Sequence, residues 1–390
     1  MRKRFFGLAA AAATVLFTMI WFWPKAERPH VPVPLMLVVA GPDVPQLNAE
    51  LVAPEQGLTA LPLLVTGRAA SGAKGALRQE WPAFHVTARF RGSEVWVRFQ
   101  DSANRWRVSL DGGRNGQIEL SRPDVRDLHL QDLPPGEHEI RVEKISESSM
   151  PAAFGGILIR PDAGGEVLPA PPPLPRLIEF IGDSDTVGFA NGSEIRECSE
   201  EEIFASTDTS RSFGPQLARE LGADYRMIAR SGIGLLRNYG GAKPETTMTS
   251  RYGLALPGDP AAARLPQPPA NIVVTALGSN DFGSDFEPGE PWSDQQALSR
   301  DFGPALIGFL HDRVRENPGA LQVLLAFGEY GEPMIAPYRQ AEAALKAEGT
   351  PVVLVVLPKL ERTACFWHPS PEDHALIAAR LLEAIRGAQS

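Results

Sequence analysis

Four short segments, far apart in the chain, carry residue types that together could perform acyl transfer. Gly182-Asp183-Ser184 follows the apolar run Ile178–Ile181, and Ser231-Gly232 comes just after Met227–Ala229. Gly278-Ser279-Asn280-Asp281 follows Ile272–Leu277, and Trp367-His368-Pro369 lies near the C-terminus. A serine hydroxyl is a weak nucleophile and needs an adjacent base. Ser184 is the candidate nucleophile and His368 the candidate base, with Pro369 and Pro371 fixing the approach to a following helix. Attack on an ester carbonyl puts negative charge on its oxygen, and preorganised N–H donors aimed there are each typically worth ~10²–10³ in rate. Gly232 suits such a donor, because a missing Cβ lets its backbone come close to substrate. Gly234 shares that advantage, so the choice between them stays open. Each segment alone has an ordinary meaning: Ser184 a turn or helix cap, Asn280 a turn-former, His368 a structural histidine. The set and its order point to a hydrolase.

These residues must be gathered by the fold. Ile178–Ile181, Met227–Ala229, Ile272–Leu277, Leu321–Ala326 and Val352–Leu357 read as fully buried strands. Gly214–Leu221, Pro304–Val314, Ile335–Ala347 and Pro371–Ile385 read as helices. Alternation of this kind predicts an α/β domain with a parallel sheet covered on both faces. Ligands in such sheets bind beyond the carboxyl ends of the strands, which is where Ser184, Gly232 and Asn280 fall. Upstream the pattern differs. Val95, Val97 and Phe99 alternate with Trp96 and Arg98, and Trp106, Val108 and Leu110 stop at the hairpin signal Asp111-Gly112. Short strands with turn signals predict a β-sandwich, a jelly roll. The expected organisation is residues 1–24 a signal peptide or anchor, 25–55 a tether, 56–165 the sandwich, 166–177 a Pro-rich linker and 178–390 the hydrolase domain.

A net charge of −9 over 390 residues argues against a nucleic-acid partner and suits a neutral substrate. Arg2, Lys3 and Arg4 precede a charge-free apolar run, Phe5 to Trp23, so the chain is expected to be exported, periplasmic or extracellular. The run is long for a signal peptide and lacks a small-x-small cleavage site, which favours an uncleaved membrane anchor; cleavage is the alternative. The two cysteines, Cys198 and Cys365, lie in segments flanking the presumed site and are expected to form a disulfide in an oxidising compartment. No metal is expected. Two cysteines without a second pair make a poor zinc site, and His30, His85, His129, His138 and His311 lack ligand neighbours at suitable spacing. His374 falls inside the last helix and reads as structural.

The order of blocks resembles the SGNH (GDSL-type) hydrolases. In detail, Ile178–Gly188 (IEFIGDSDTVG), Ala229–Gly240 (ARSGIGLLRNYG), Val274–Phe282 (VTALGSNDF) and Cys365–Ser370 (CFWHPS) look like the two-domain acetylesterases of carbohydrate esterase family 2. A looser likeness covers the β-rich region, so the resemblance spans roughly residues 60 to 388. It implies a flavodoxin-like three-layer hydrolase domain and an oxyanion hole made by the backbone N–H groups of Ser184 and Gly232 and the Asn280 amide. It also implies an acid two or three residues before the histidine, where this chain has Phe366 and Cys365. Glu361, Glu372 and Asp373 are possible substitutes. The preferred reading is a Ser–His dyad whose imidazole is oriented by a backbone carbonyl. Trp367 and Tyr239 are expected to line the substrate cleft, and Asp185 to contact substrate hydroxyls. The implied activity is removal of O-acetyl groups from carbohydrate without a cofactor, and a monomer is expected. The alternatives are an esterase on peptidoglycan or on lipid esters or thioesters, and a glycan-binding protein with a weakened hydrolase domain.

Overall fold

A computed structural model describes residues 33–39, 47–114 and 116–389. The apolar run 5–23 and its basic flank lie outside the described residues. Among those described, no helix is long and apolar enough to cross a membrane.

The C-terminal part is built on five parallel strands: β1 (Leu177–Gly182), β2 (Asp224–Ala229), β3 (Ile272–Ala276), β4 (Leu321–Phe327) and β5 (Val352–Leu357), in the spatial order β2-β1-β3-β4-β5. Every residue of β3 and β4 is buried, as expected of strands covered on both faces. Four longer helices supply the cover. These are α1 (Phe213–Glu220), α2 (Gln295–Glu316), α3 (Glu332–Ala347) and α4 (Pro371–Gln389), with α1 packed on α4 and α2 on α3. Successive strands leave β1 on opposite sides, so a crevice opens beyond the carboxyl ends of β1 and β3. Gly182 and Ala276 are partners at that edge. The strand can turn there only because residue 182 is glycine: an added Cβ would lie 2.0 Å from Thr186 Oγ1 and 2.8 Å from the Ala276 carbonyl.

The N-terminal part is a sandwich of two antiparallel sheets, seven strands each among the described residues. Val95, Val97 and Phe99 point into its core with Trp106, Val108 and Leu110, as the alternation predicts. Phe84, Phe99, Trp106 and Phe154 form an aromatic cluster there, with the Trp106 and Phe154 rings 5.7 Å apart. The opposite face is covered too: Trp96 stacks on His129 at 4.1 Å.

Two boundaries differ from the sequence expectation. Within the tether expected over 25–55, Met36–Val39 pairs with Gln117–Leu120 and Asn48–Val52 pairs with Asp127–Gln131. Both strands lie at sheet edges, where a proline-rich neighbourhood is tolerated because half the backbone needs no ladder partner. The expected linker likewise begins with an edge pair, Glu166 and Val167 on Arg91 and Phe90.

The described residues from Pro34 onward form one compact unit, and the sandwich is joined to the hydrolase domain by buried and half-buried polar contacts. Arg105 donates to the carbonyls of Ala205 (2.7 Å) and Thr207 (2.9 Å), Arg107 pairs with Asp208 at 2.6 Å, and Trp81 enters the hydrolase core.

Candidate active site

Ser184 opens a one-turn helix, Ser184–Val187, directly after β1. Asp183 caps that turn, accepting from the Asp185 N–H at 3.0 Å, and also accepts from the Ser279 hydroxyl. The loops after β1 and β3 are thereby joined. Burial, reinforced by the Asp185 carboxylate, pushes the Asp183 carboxyl up. The loop after β3 in turn holds the loop after β2. Asn280 Nδ2 donates to the Ile233 carbonyl at 2.9 Å, which leaves its second N–H. Asp281 accepts the N–H groups of Leu235, Leu236 and Arg237 at 2.9, 2.8 and 2.9 Å. Burial raises the Asp281 pKa to about 6 against the opposing effect of those three bonds.

Between these anchors Gly232 adopts φ +79°, and a Cβ there would project into open space. Its N–H donates to no protein group among the described residues. Gly234 is different: its N–H donates to Asn238 Oδ1 at 3.0 Å, and a Cβ would meet the Arg237 carbonyl at 2.0 Å. The geometry therefore favours Gly232 over Gly234 as a donor to substrate.

His368 comes from the other rim, on the loop between β5 and α4. Its Nδ1 lies 2.8 Å from the Cys365 carbonyl oxygen. A carbonyl only accepts, so Nδ1 carries the proton and the Nε2 lone pair is free to take another. The ring packs on Phe189 at 4.5 Å. Burial lowers the His368 pKa, and the charge of Asp185 and the bond to Cys365 oppose that shift.

The loop carrying this imidazole is strained. Arg362, Phe366 and Trp367 have φ of +49°, +50° and +57°, each a conformation that costs a non-glycine residue about 1–3 kcal/mol. Specific ties hold it. A disulfide joins Cys365 to Cys198, and the Phe366 N–H donates to the Arg196 carbonyl at 2.8 Å. Asp373 accepts from the N–H groups of Glu361, Arg362 and Ser370 at 3.1, 2.9 and 3.0 Å. Arg362 grips Asp185 with two bonds (3.0 and 2.7 Å) and also pairs with Glu329.

A cleft of about 800 Å³ gathers the residues named from sequence: Ser184, Asp185, Gly232, Asn280 and His368 on its floor and walls, with Tyr239 and Trp367 at its rim. Tyr239 and Trp367 are 59% and 60% exposed, too open for core residues. The expectation for Asp185 needs correction. It is 2% exposed and both carboxylate oxygens are taken by Arg362. Burial alone would raise its pKa, but the Arg362 charge and bonds hold it below the usual carboxylate range. It ties the serine turn to the histidine loop and is not offered to substrate hydroxyls. None of the three substitute acids meets His368: Glu361 and Glu372 are exposed and Asp373 is a cap. His374 is fully buried, accepts from the Phe213 N–H at 3.3 Å, and is held neutral by burial, its pKa lowered to about 4. Among the described residues no cluster of three or more His, Cys, Asp or Glu could hold a metal ion.

Glu147 is a site residue that sequence reasoning missed. It belongs to the sandwich, yet it accepts from both the N–H (2.7 Å) and the hydroxyl (2.6 Å) of Ser231, immediately before Gly232. Arg230 is held the same way by Glu80, at 3.2 Å. No local pattern marks a contact 84 residues away. Asp183 and Asp281, by contrast, stand inside the quoted motifs and were legible as neighbours, though not as anchors.

Residues 65–171 match the carbohydrate esterase 2 N-terminal family. Over 304 residues the chain is 32% identical to an acetylxylan esterase / glucomannan deacetylase of Cellvibrio japonicus, covering 77% of this chain and 83% of that protein. The chain belongs to carbohydrate esterase family 2. Solved structures agree. A carbohydrate esterase described as having divergent catalytic and non-catalytic binding functions at its active site superposes with a TM-score of 0.76 at 30% identity, over 84% of this chain and 98% of that one. A family two carbohydrate esterase from Clostridium thermocellum in complex with cellohexaose gives 0.69 at 26% identity, over 83% and 98%. The family fold is the one described above, a sandwich before an SGNH hydrolase domain, and the protein is a carbohydrate acetylesterase of that family.

Proposed function

We propose that this esterase removes O-acetyl groups from polysaccharide through a Ser184–His368 dyad. Ser184 Oγ attacks the acetyl carbonyl and its proton passes to His368 Nε2. The oxyanion is received by the N–H groups of Ser184 and Gly232 and by the free N–H of the Asn280 amide. His368 then protonates the departing sugar hydroxyl, leaving acetyl-Ser184. Water, deprotonated by the same imidazole, releases acetate. The observation that carries this reading is the bond from His368 Nδ1–H to the Cys365 carbonyl. It performs the orienting part of a triad acid, fixing tautomer and ring position, without its charge.

The substrate class rests on the family and on the exposed aromatic rim. Trp367 and Tyr239 offer flat apolar faces to sugar rings. Acetylated xylan and glucomannan, the substrates named for the Cellvibrio relative, are the first to try. A working place outside the cytoplasm is part of this reading, supported by the basic flank and apolar run among the first residues and by the Cys198–Cys365 disulfide, which suits an oxidising compartment. The test is acetate release from both polysaccharides by wild type and Ser184→Ala. The variant should lose activity by at least about a thousandfold with an unchanged thermal midpoint. Release near the wild-type rate would overturn the dyad; no release by wild type from either polymer would overturn the substrate class.

A further inference from the structure

Beside the catalytic cleft lies a second hollow, of about 510 Å³, that shares Ser231, Gly232 and Tyr239 with it. The two hollows are therefore adjacent across those residues. The two differ in charge. The catalytic cleft is lined by three cations and three carboxylates: Arg196, Lys359 and Arg362 against Asp185, Glu329 and Glu361. The side hollow is lined by Arg230, Lys243 and Arg251, and the carboxylates behind its wall are engaged by the wall itself: Glu147 accepts from Ser231, and Glu80 accepts from Gly258 and pairs with Arg230. Arg230 is partly neutralised from the sandwich side by Glu80. Arg251 gives one N–H to the Pro257 carbonyl at 2.7 Å, and neither it nor Lys243 has a carboxylate partner among the described residues. Unbalanced cations in a concave wall focus a positive potential on whatever enters. They do so here on a chain whose net charge of −9 would otherwise repel an anion. A partly buried guanidinium with free N–H groups matches a carboxylate in shape as well as charge.

We propose that this hollow is a subsite for a carboxylate-bearing sugar linked to the acetylated unit. The inference rests on the deacetylase reading above and adds a substrate preference to it. The enzyme should favour acetyl groups that neighbour an acidic sugar over those on an unbranched neutral chain. Tyr239, on the boundary of both hollows, would contact the sugar that spans them.

The test compares chemically acetylated xylo-oligosaccharides with and without a uronic acid side group. A second arm uses O-acetylated muramoyl disaccharides, because a uronate and the lactyl group of muramic acid present the same carboxylate. Wild type should show a higher kcat/KM for the uronate-bearing or the muramoyl substrate than for the neutral one, and the arm that shows it identifies the source. The ratio of acidic to neutral kcat/KM should fall roughly two- to five-fold in Lys243→Gln, the size expected for one exposed charge, and further in Arg251→Gln. It should also shrink in 0.5 M NaCl, where the Debye length drops to about 4 Å. Lys243 is exposed, so its replacement leaves the fold intact and keeps the test decisive if Arg251→Gln proves unstable. Equal rates on acidic and neutral substrates, or a proportional loss on both in the variants, would overturn the subsite. Ser184→Ala abolishes release from every substrate if the dyad is right, so failure of the subsite and failure of the dyad read out separately.

Discussion

Ser184, Gly232 and Asn280 stand just beyond the ends of three neighbouring parallel strands, whereas His368 stands on a loop that enters the site from beyond β5. The first group is placed by topology. The β2-β1-β3 order brings three loops together, and a few local bonds from Asp183, Asn280 and Asp281 finish the alignment. The histidine loop runs through three left-handed non-glycine residues and is kept in place by a disulfide, an aspartate cap and the Asp185–Arg362–Glu329 network. One half of the site inherits its geometry from the sheet. The other half keeps a strained geometry by means of side-chain and covalent ties.

Removing the groups themselves should have the largest effect. His368→Ala is expected to lower kcat by about 10⁶, the size of loss when a serine hydrolase loses its base, with little change in thermal midpoint. A change under a hundredfold would mean that another group serves as base. Next in size is cutting the ties of the histidine loop. The disulfide closes a span of 167 residues, so Cys198→Ala with Cys365→Ala should destabilise the protein by up to about 5 kcal/mol in the chain-entropy account. Denaturant unfolding measures this. If the comparison holds, kcat should fall as well even where the protein stays folded, because Cys365 also supplies the carbonyl that orients His368. An unchanged kcat would show that the loop keeps its shape without the bridge.

Glu147→Ala probes the sheet-built half from the sandwich side. Freeing Ser231 loosens the peptide that presents the Gly232 N–H, and kcat should drop about ten- to a hundredfold with KM little altered. Ser231→Ala should show a smaller drop, and the double variant should match Glu147→Ala alone. Additive losses would place Glu147 outside this pathway.

The smallest effects concern pH. His368 acts as a base only when neutral, and burial holds its pKa below the ordinary 6.5, so the acid limb of kcat should lie below pH 6.5. His374 provides a separate stability effect. Its folded pKa near 4 lies below the unfolded value, so its contribution is complete above about pH 6.5 and is lost as pH falls toward 4, up to about 3 kcal/mol. Unfolding midpoints of wild type and His374→Leu between pH 7 and 4 should converge; parallel curves would contradict a neutral buried imidazole.

What could be read from the sequence follows the same division. Each parallel strand carries a mostly apolar stretch, broken only by single polar residues such as Glu179, Arg226 and Gln322, and the first three are followed within two to four residues by Ser184, Gly232 and Asn280. The strands and the positions of Ser184 and Asn280 beyond them were legible on that half. Gly232 over Gly234 was not, because the decision lies in an Asn238 side chain that consumes one N–H. On the histidine side, the missing acid at 365 and 366 was visible and the cysteine pairing could be guessed. The Arg362 grip on Asp185 crosses 177 positions and left no periodic trace. The edge strands at 36–39 and 48–52 were hidden for a related reason: edge pairing leaves only half of a strand's backbone and one face constrained, and their proline-rich surroundings read as tether.

The dyad proposed for this site requires that a backbone carbonyl, and no carboxylate, orient His368. Single neutralisation of the three acids nearest in sequence, Glu361→Gln, Glu372→Gln and Asp373→Asn, tests it by kcat on folded enzyme. Each should change kcat by only a few-fold, with Asp373→Asn also lowering the thermal midpoint because it caps three backbone N–H groups. Loss of a true triad acid costs about 10⁴ in the serine proteases. A loss of that size in any one of the three would contradict the account.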